Sequence, residues 1–176
     1  IEHLLSRGWC SFTTDDVVEQ LDKSREAAKA FIRRLRDKGR IASPVRGFHV
    51  VVPPEYRRLG CLPPQEFVPF LMAYLEREYY AGLLTAAFFN GAAHQQPQSF
   101  QTMVDEHRRQ VECGRVRIEF HRRRSIADVP VVAINTDYGQ LSVSSPEATA
   151  IDLVGYAGQL GGLDRVATVL VELAED

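Results

Sequence analysis

A chain of 176 residues with 45% hydrophobic and 25% charged side chains is long enough for one large or two small domains, and too apolar for a disordered protein. It holds no apolar run near 18 residues and no signal-peptide pattern, so neither membrane insertion nor export is expected. The net charge of −2 conceals an asymmetry: residues 1–60 carry 12 basic and 8 acidic side chains, and the remainder carry 9 and 15. Cys10, Cys61 and Cys113 are odd in number and far apart in sequence, which argues against a zinc knuckle or a disulfide framework. They read as reduced thiols of a cytoplasmic protein.

In chain order, residues 1–6 read as a short apolar helix with Leu4 and Leu5 inward, and Trp9 and Phe12 are expected to pack beside it. Thr13 or Thr14 suits the cap of a second helix, Asp15 and Asp16 suit its first turn, and Val17, Val18 and Leu21 give it a buried side. Asp22, Lys23 and Ser24 interrupt the chain. Ser24 then caps a predicted helix running to about Lys38, where Gly39 supplies a stop. At about 100° per residue, Ala27, Ala28, Phe31 and Leu35 share one face of it, while Arg25, Lys29, Arg33 and Arg36 share another.

Residues 40–45 and 48–52 read as the strands of a hairpin turning at Arg46 and Gly47, closed by Pro53 and Pro54. Helix, tight turn, cationic helix and basic hairpin are the order of a winged helix-turn-helix, so double-stranded DNA is the first partner to consider. Between Lys23 and Arg46 there are nine basic residues and two acidic ones, Glu26 and Asp37, a local excess that a generic solvated surface does not require. The expected DNA-binding residues are Lys23, Ser24 and Arg25 near base edges, Lys29, Arg33 and Arg36 on phosphates, and Arg40 and Arg46 on the wing, which also carries His49.

A proline-marked passage, Pro53-Pro54 to Pro63-Pro64, reads as a linker or interdomain clasp. Beyond it, helical spacing is expected over residues 65–79, with Phe67, Phe70, Leu71, Tyr74 and Leu75 apolar, and a helix of small residues over 80–90. Strands are expected at 99–104, 115–121, 131–136 and 140–143, followed by a helix with Ser144 and Glu147 as its capping box, and a final helix over 163–174. The predicted fold class is therefore α+β: a winged helix-turn-helix in residues 1–60, then a mixed helix and small β-sheet domain in 61–176. Arg122, Arg123 and Arg124 form the basic run of the second part, read either as a solubilising loop or as a second basic surface.

The segments Glu78-Tyr79-Tyr80-Ala81-Gly82-Leu83-Leu84-Thr85, Gly91-Ala92-Ala93-His94-Gln95-Gln96-Pro97-Gln98, Ser145-Pro146-Glu147-Ala148-Thr149-Ala150-Ile151-Asp152 and Gly161-Gly162-Leu163 resemble the AbiEi family of antitoxins. The resemblance implies a bacterial type IV toxin–antitoxin (abortive-infection, phage-defence) protein: a repressor of its own operon acting against a nucleotidyltransferase-like toxin without a stable complex. Winged-helix repressors usually meet inverted repeats as two copies, so pairing on an operator of inverted repeats is expected. The chain begins at Ile1, and the family pattern implies further residues at both ends.

Two readings compete. One is a winged-helix regulator whose second domain, rich in apolar residues over 79–89, only binds protein. The other is a restriction-endonuclease-like nuclease with Asp105 and Glu119 as metal ligands, but Glu119 is followed by Phe120 and His121 where such enzymes place a lysine. His94 beside Gln95 and Gln98 suggests a polar site no more than it suggests a satisfied helix end. No catalytic residue, metal or cofactor is expected.

Overall fold

A computed structural model describes residues 9–22, 24–92 and 97–175. The helix expected over residues 1–6, together with Lys23, His94, Gln95 and Gln96, lies outside the described residues. The chain forms two compact units, the first of residues 1–76, 111–117 and 136–139, the second of 77–110, 118–135 and 140–176. The boundary expected at residue 60 falls inside the first unit.

The first unit is a winged helix. Strand β1 (Ser11–Thr13) leads into α1 (Thr14–Leu21), whose amino-terminal groups are satisfied by a reciprocal cap: Asp16 N–H donates to Thr13 Oγ1 at 3.1 Å and Thr13 N–H to Asp16 Oδ2 at 2.6 Å. Asp22 takes the left-handed conformation, φ 48°, and turns the chain into α2 (Arg25–Asp37), capped by Ser24. The wing is β2 (Ile41–Val45) against β3 (Phe48–Val51), with a register shift between Ala42 and Val45. Strand β1 pairs with the other edge of β3, giving the order β1-β3-β2. A 3₁₀ turn at Pro54–Tyr56 and helix α3 (Pro64–Tyr74) complete this stretch of the unit. Hairpin strand β6 (Val111–Cys113) belongs to the same unit.

The core here is Phe12, Val17, Ala28, Ile32, Leu35, Ile41 and Val51. The buried stripe of α2 is Ala28-Ile32-Leu35, spaced i, i+4, i+7, with Ala27 and Phe31 half-buried at its edge, so the expected face is rotated by part of a turn. Leu21 and Trp9 are exposed rather than packed.

In the second unit, β4 (Tyr80–Ala81) lies centrally, antiparallel to β5 (Phe100–Val104) and parallel to β9 (Gln140–Ser144). Strand β7 (Val116–Arg122) runs parallel to β5, and β8 (Val131–Asn135) pairs antiparallel with β9. All five residues of β5 are buried, as expected of an inner strand. Helix α4 (Leu83–Phe89) starts after Gly82, while residues 80–81, expected in that helix, are drawn into the sheet by pairing with β5 and β9. Helix α5 (Pro146–Gly155) is capped by Ser145, whose hydroxyl accepts from Ala148 N–H at 3.3 Å. The predicted cap, Ser144, instead ends β9 and shares a 2.7 Å hydrogen bond with Thr149. A 3₁₀ turn at Ala157–Gln159 and helix α6 (Leu163–Glu175) follow.

A buried ionic cluster joins α5 to the sheet. Tyr80 Oη donates to Asp152 Oδ2 at 2.7 Å, and Arg123 pairs with Asp152 Oδ1 and donates to Tyr80 Oη at 3.2 Å. Burial pushes the Asp152 carboxyl up, against the pull of Tyr80 and Arg123, so the carboxylate depends on both partners. Arg123→Ala should therefore cost about 2–3 kcal/mol in urea unfolding, because it strands a buried charge, whereas exposed Arg124→Ala should stay within about 0.5 kcal/mol. Equal midpoints for the two variants would contradict this role.

Candidate nucleic-acid interface

Because α2 buries a narrow stripe, its remaining circumference is free to carry charge. Arg25, Lys29, Arg33 and Arg36 are all exposed and all line one groove between α2 and the wing, with Arg46 entering from the hairpin tip. The groove has a volume of about 540 Å³, and none of its lining residues is acidic. Positive charges facing one concavity repel one another, and such a groove is chemically suited to an anion.

The tip is set by backbone chemistry. Gly47 has φ +86°, and a Cβ there would sit 2.5 Å from Tyr74 Oη. Tyr74, at the end of α3, donates from its hydroxyl to the Arg46 carbonyl at 3.1 Å, and its ring lies 5.4 Å from that of Phe48. A residue that the sequence pattern placed among the apolar positions of α3 thus props the wing, and its side chain lines the groove. No local signal marks it, since its partner lies 28 residues away.

His49 sits inside the wing. Carried by the wing as expected, it is 5% exposed and lies between Thr14 Oγ1, 3.0 Å from Nε2, and Ser43 Oγ, 2.9 Å from Nδ1. It connects the first residue of α1 to both wing strands. Burial, aided by the nearby Arg36 charge, lowers its pKa to about 4.

The other expected residues are placed as follows. Ser24 is spent as the α2 cap, accepting from Ala27 N–H at 3.3 Å, which leaves its backbone at the helix start where a groove would be entered. Arg25 forms a 2.8 Å ion pair with Asp15; both side chains are more than half exposed, so the pair is weak enough for a phosphate or base to replace it. Arg40 stands half-buried at the foot of the wing and does not line the groove. Arg122 and Arg124 are exposed, Arg122 Nε donating to the Asp105 carbonyl at 3.3 Å, while Arg123 turns inward to Asp152.

The register lends the nuclease alternative no support. Glu119 sits opposite Gln101, whereas Asp105 follows the end of β5, beyond the level of Arg122. Glu119 Oε2 instead lies 3.6 Å from His121 Nε2. Among the described residues no group of three or more His, Cys, Asp or Glu side chains is placed to hold a metal, and no helix is long and apolar enough to cross a membrane.

Fold and groove together define a winged-helix protein with an attached α+β unit. Residues 80–176, more than half of the chain, match the family model described as the AbiEi antitoxin C-terminal domain, and the chain belongs to the AbiEi antitoxin family. That family consists of antitoxins of toxin–antitoxin systems, is not a family of enzymes, and implies a toxin partner. The matched span begins beyond the winged helix. No curated protein matches the chain.

His49 generates a pH dependence. With a folded pKa near 4 against an ordinary 6.5, the unfolded chain binds the proton more readily, so the stabilisation is whole above pH 6.5 and is lost as pH falls from there towards 4. Between pH 7 and pH 4.5 the protein should lose about 2 kcal/mol more than His49→Gln in denaturant unfolding. Parallel pH profiles for the two would contradict the assignment.

Proposed function

We propose that the chain is a DNA-binding antitoxin that represses its own operon through the first unit and counters a nucleotidyltransferase-like toxin through the second. The observation that carries the DNA part is the groove in which Arg25, Lys29, Arg33, Arg36 and Arg46 converge with no acidic residue in its lining. The antitoxin part rests on family membership, and the toxin's chemistry and the lack of a stable complex rest on the resemblance of the residue 78–98 and 145–163 segments. Two copies would meet inverted repeats by pairing on the operator. Arg122 and Arg124 remain candidates for a second contact with an anionic surface, and cytoplasmic operation follows from the reading of the thiols as reduced.

Within the groove, position assigns role. Arg25 stands at the amino-terminal end of α2, where a recognition helix approaches base edges. Lys29, Arg33 and Arg36 lie further along and hold phosphates, while Arg46 meets a flanking phosphate or the minor groove from the wing.

Arg25→Ala should relax sequence preference by about 1–3 kcal/mol at one base position, and Arg33→Ala should weaken every sequence alike while reducing the salt slope by roughly 0.9. Binding of promoter and scrambled duplexes measures both. If Arg33→Ala altered preference and Arg25→Ala left it intact, the docking direction would be reversed. Co-expression with the toxin encoded beside the antitoxin should rescue growth in both variants, since the groove is not assigned to toxin neutralisation. Loss of rescue in well-folded Arg33→Ala would contradict the division of labour.

A further inference from the structure

Within the first unit, residues 59–61 cross residues 113–115 at close range. Arg115 N–H donates to the Leu59 carbonyl at 2.8 Å, and a Cβ on Gly60 would sit 3.1 Å from Gly114 Cα. A Cβ on Gly114 would collide with the Leu59 carbonyl and the Gly60 backbone, and both glycines have positive φ, so glycine is what permits the approach. Cys61 and Cys113 flank this crossing, one on each chain segment. Both thiols are free and both are buried, and each shifts the titration of the other, as neighbouring thiols do. Strand β6, which ends at Cys113, packs against wing strand β2, and the Ser43 amide at the register shift of the wing lowers the Cys113 pKa. Ser43 in turn holds His49 through its hydroxyl, and both line the DNA groove.

We propose that Cys61 and Cys113 are a redox modification site: an oxidant of the peroxide class joins them in a reversible disulfide that withdraws the Cys113 sulfur from Ser43 and loosens the wing. The Cys113 sulfur attacks the peroxide, the O–O bond breaks, an S–O bond forms, and one water leaves. The Cys61 sulfur then displaces the sulfenic oxygen, which takes up the remaining thiol proton and leaves as the second water. Two thiols and one hydrogen peroxide give one disulfide and two waters. Cys113 is the attacking sulfur because it is the more exposed of the two, 7% against 0%. The Cys61 thiol and the Ser43 amide also hold its pKa below the ordinary thiol value, whereas Cys61 is pushed up. Cys10 is an internal control: its thiol donates to the Glu66 carbonyl at 3.4 Å, and burial raises its pKa to about 11.

The test treats the reduced full chain with hydrogen peroxide, maps the thiols by peptide mass spectrometry, and measures promoter-DNA affinity before and after. Expected are a Cys61–Cys113 cross-linked peptide with Cys10 still free, a fall in affinity of at least about threefold, and recovery of both on addition of dithiothreitol. Cys61→Ser and Cys113→Ser should each abolish the cross-link and the peroxide sensitivity of binding. Oxidation of all three thiols at one rate, a pair that stops at separate sulfinic acids, or a disulfide that leaves affinity unchanged would overturn the proposal. Its DNA arm rests on the groove reading above. Reduced protein that fails to bind DNA would sink that reading, while the peptide map still decides the thiol pair on its own.

Discussion

Packing of the Ala28-Ile32-Leu35 stripe of α2 into the core that also contains Val51 of β3 and Phe12 of β1 is the contact on which the first unit depends. It is a narrow seam. Burying Ile32 and Leu35 contributes roughly 1.5–3 kcal/mol each, and this must offset the mutual repulsion of the cations that the same helix carries on its other faces. A wider apolar stripe would hold the helix better and leave fewer positions for arginine. The sequence thus places apolar packing and the cations on opposite sides of one cylinder, and the cationic face is a local cost of the kind a binding site commonly carries.

The wing depends on that seam through β3, whose four residues are all buried. His49 and Tyr74 turn the buried strand into a positioned tip: the imidazole joins Thr14 and Ser43, and the phenol holds the carbonyl of Arg46. Neither side chain needs to touch DNA to matter, since an arginine on an unsupported hairpin would lose more conformational entropy on binding. In the second unit, the Tyr80–Asp152–Arg123 cluster plays a comparable organising part, joining α5 to the sheet by charge where the first unit uses apolar packing.

The winged helix was legible because its signals are local: Ser24 before a periodic helix, Gly39 after it, and Arg46-Gly47 between two short apolar runs. Strands β1, β4 and β6 were not, because two or three residues cannot display a period of two, and pairing partners far along the chain hold them. The cap of α5 was misplaced by one residue because Ser144 and Ser145 are chemically alike, and the hydroxyl of Ser144 is claimed by Thr149. Burial of His49, the inward turn of Arg123 and the meeting of Cys61 with Cys113 are long-range outcomes. Composition and spacing carry no trace of them.

The central claim is that the groove between α2 and the wing is an anion cradle for duplex DNA. Its most direct test is the salt dependence of promoter binding by the full chain. With Lys29, Arg33 and Arg36 on phosphates and Arg46 on a fourth or in the minor groove, log affinity should fall against log salt concentration with a slope of about −3 to −4, at roughly 0.9 per contact. A slope shallower than about −1 would contradict the account, as would an unchanged slope when Lys29, Arg36 and Arg46 are replaced together by alanine in a folded protein.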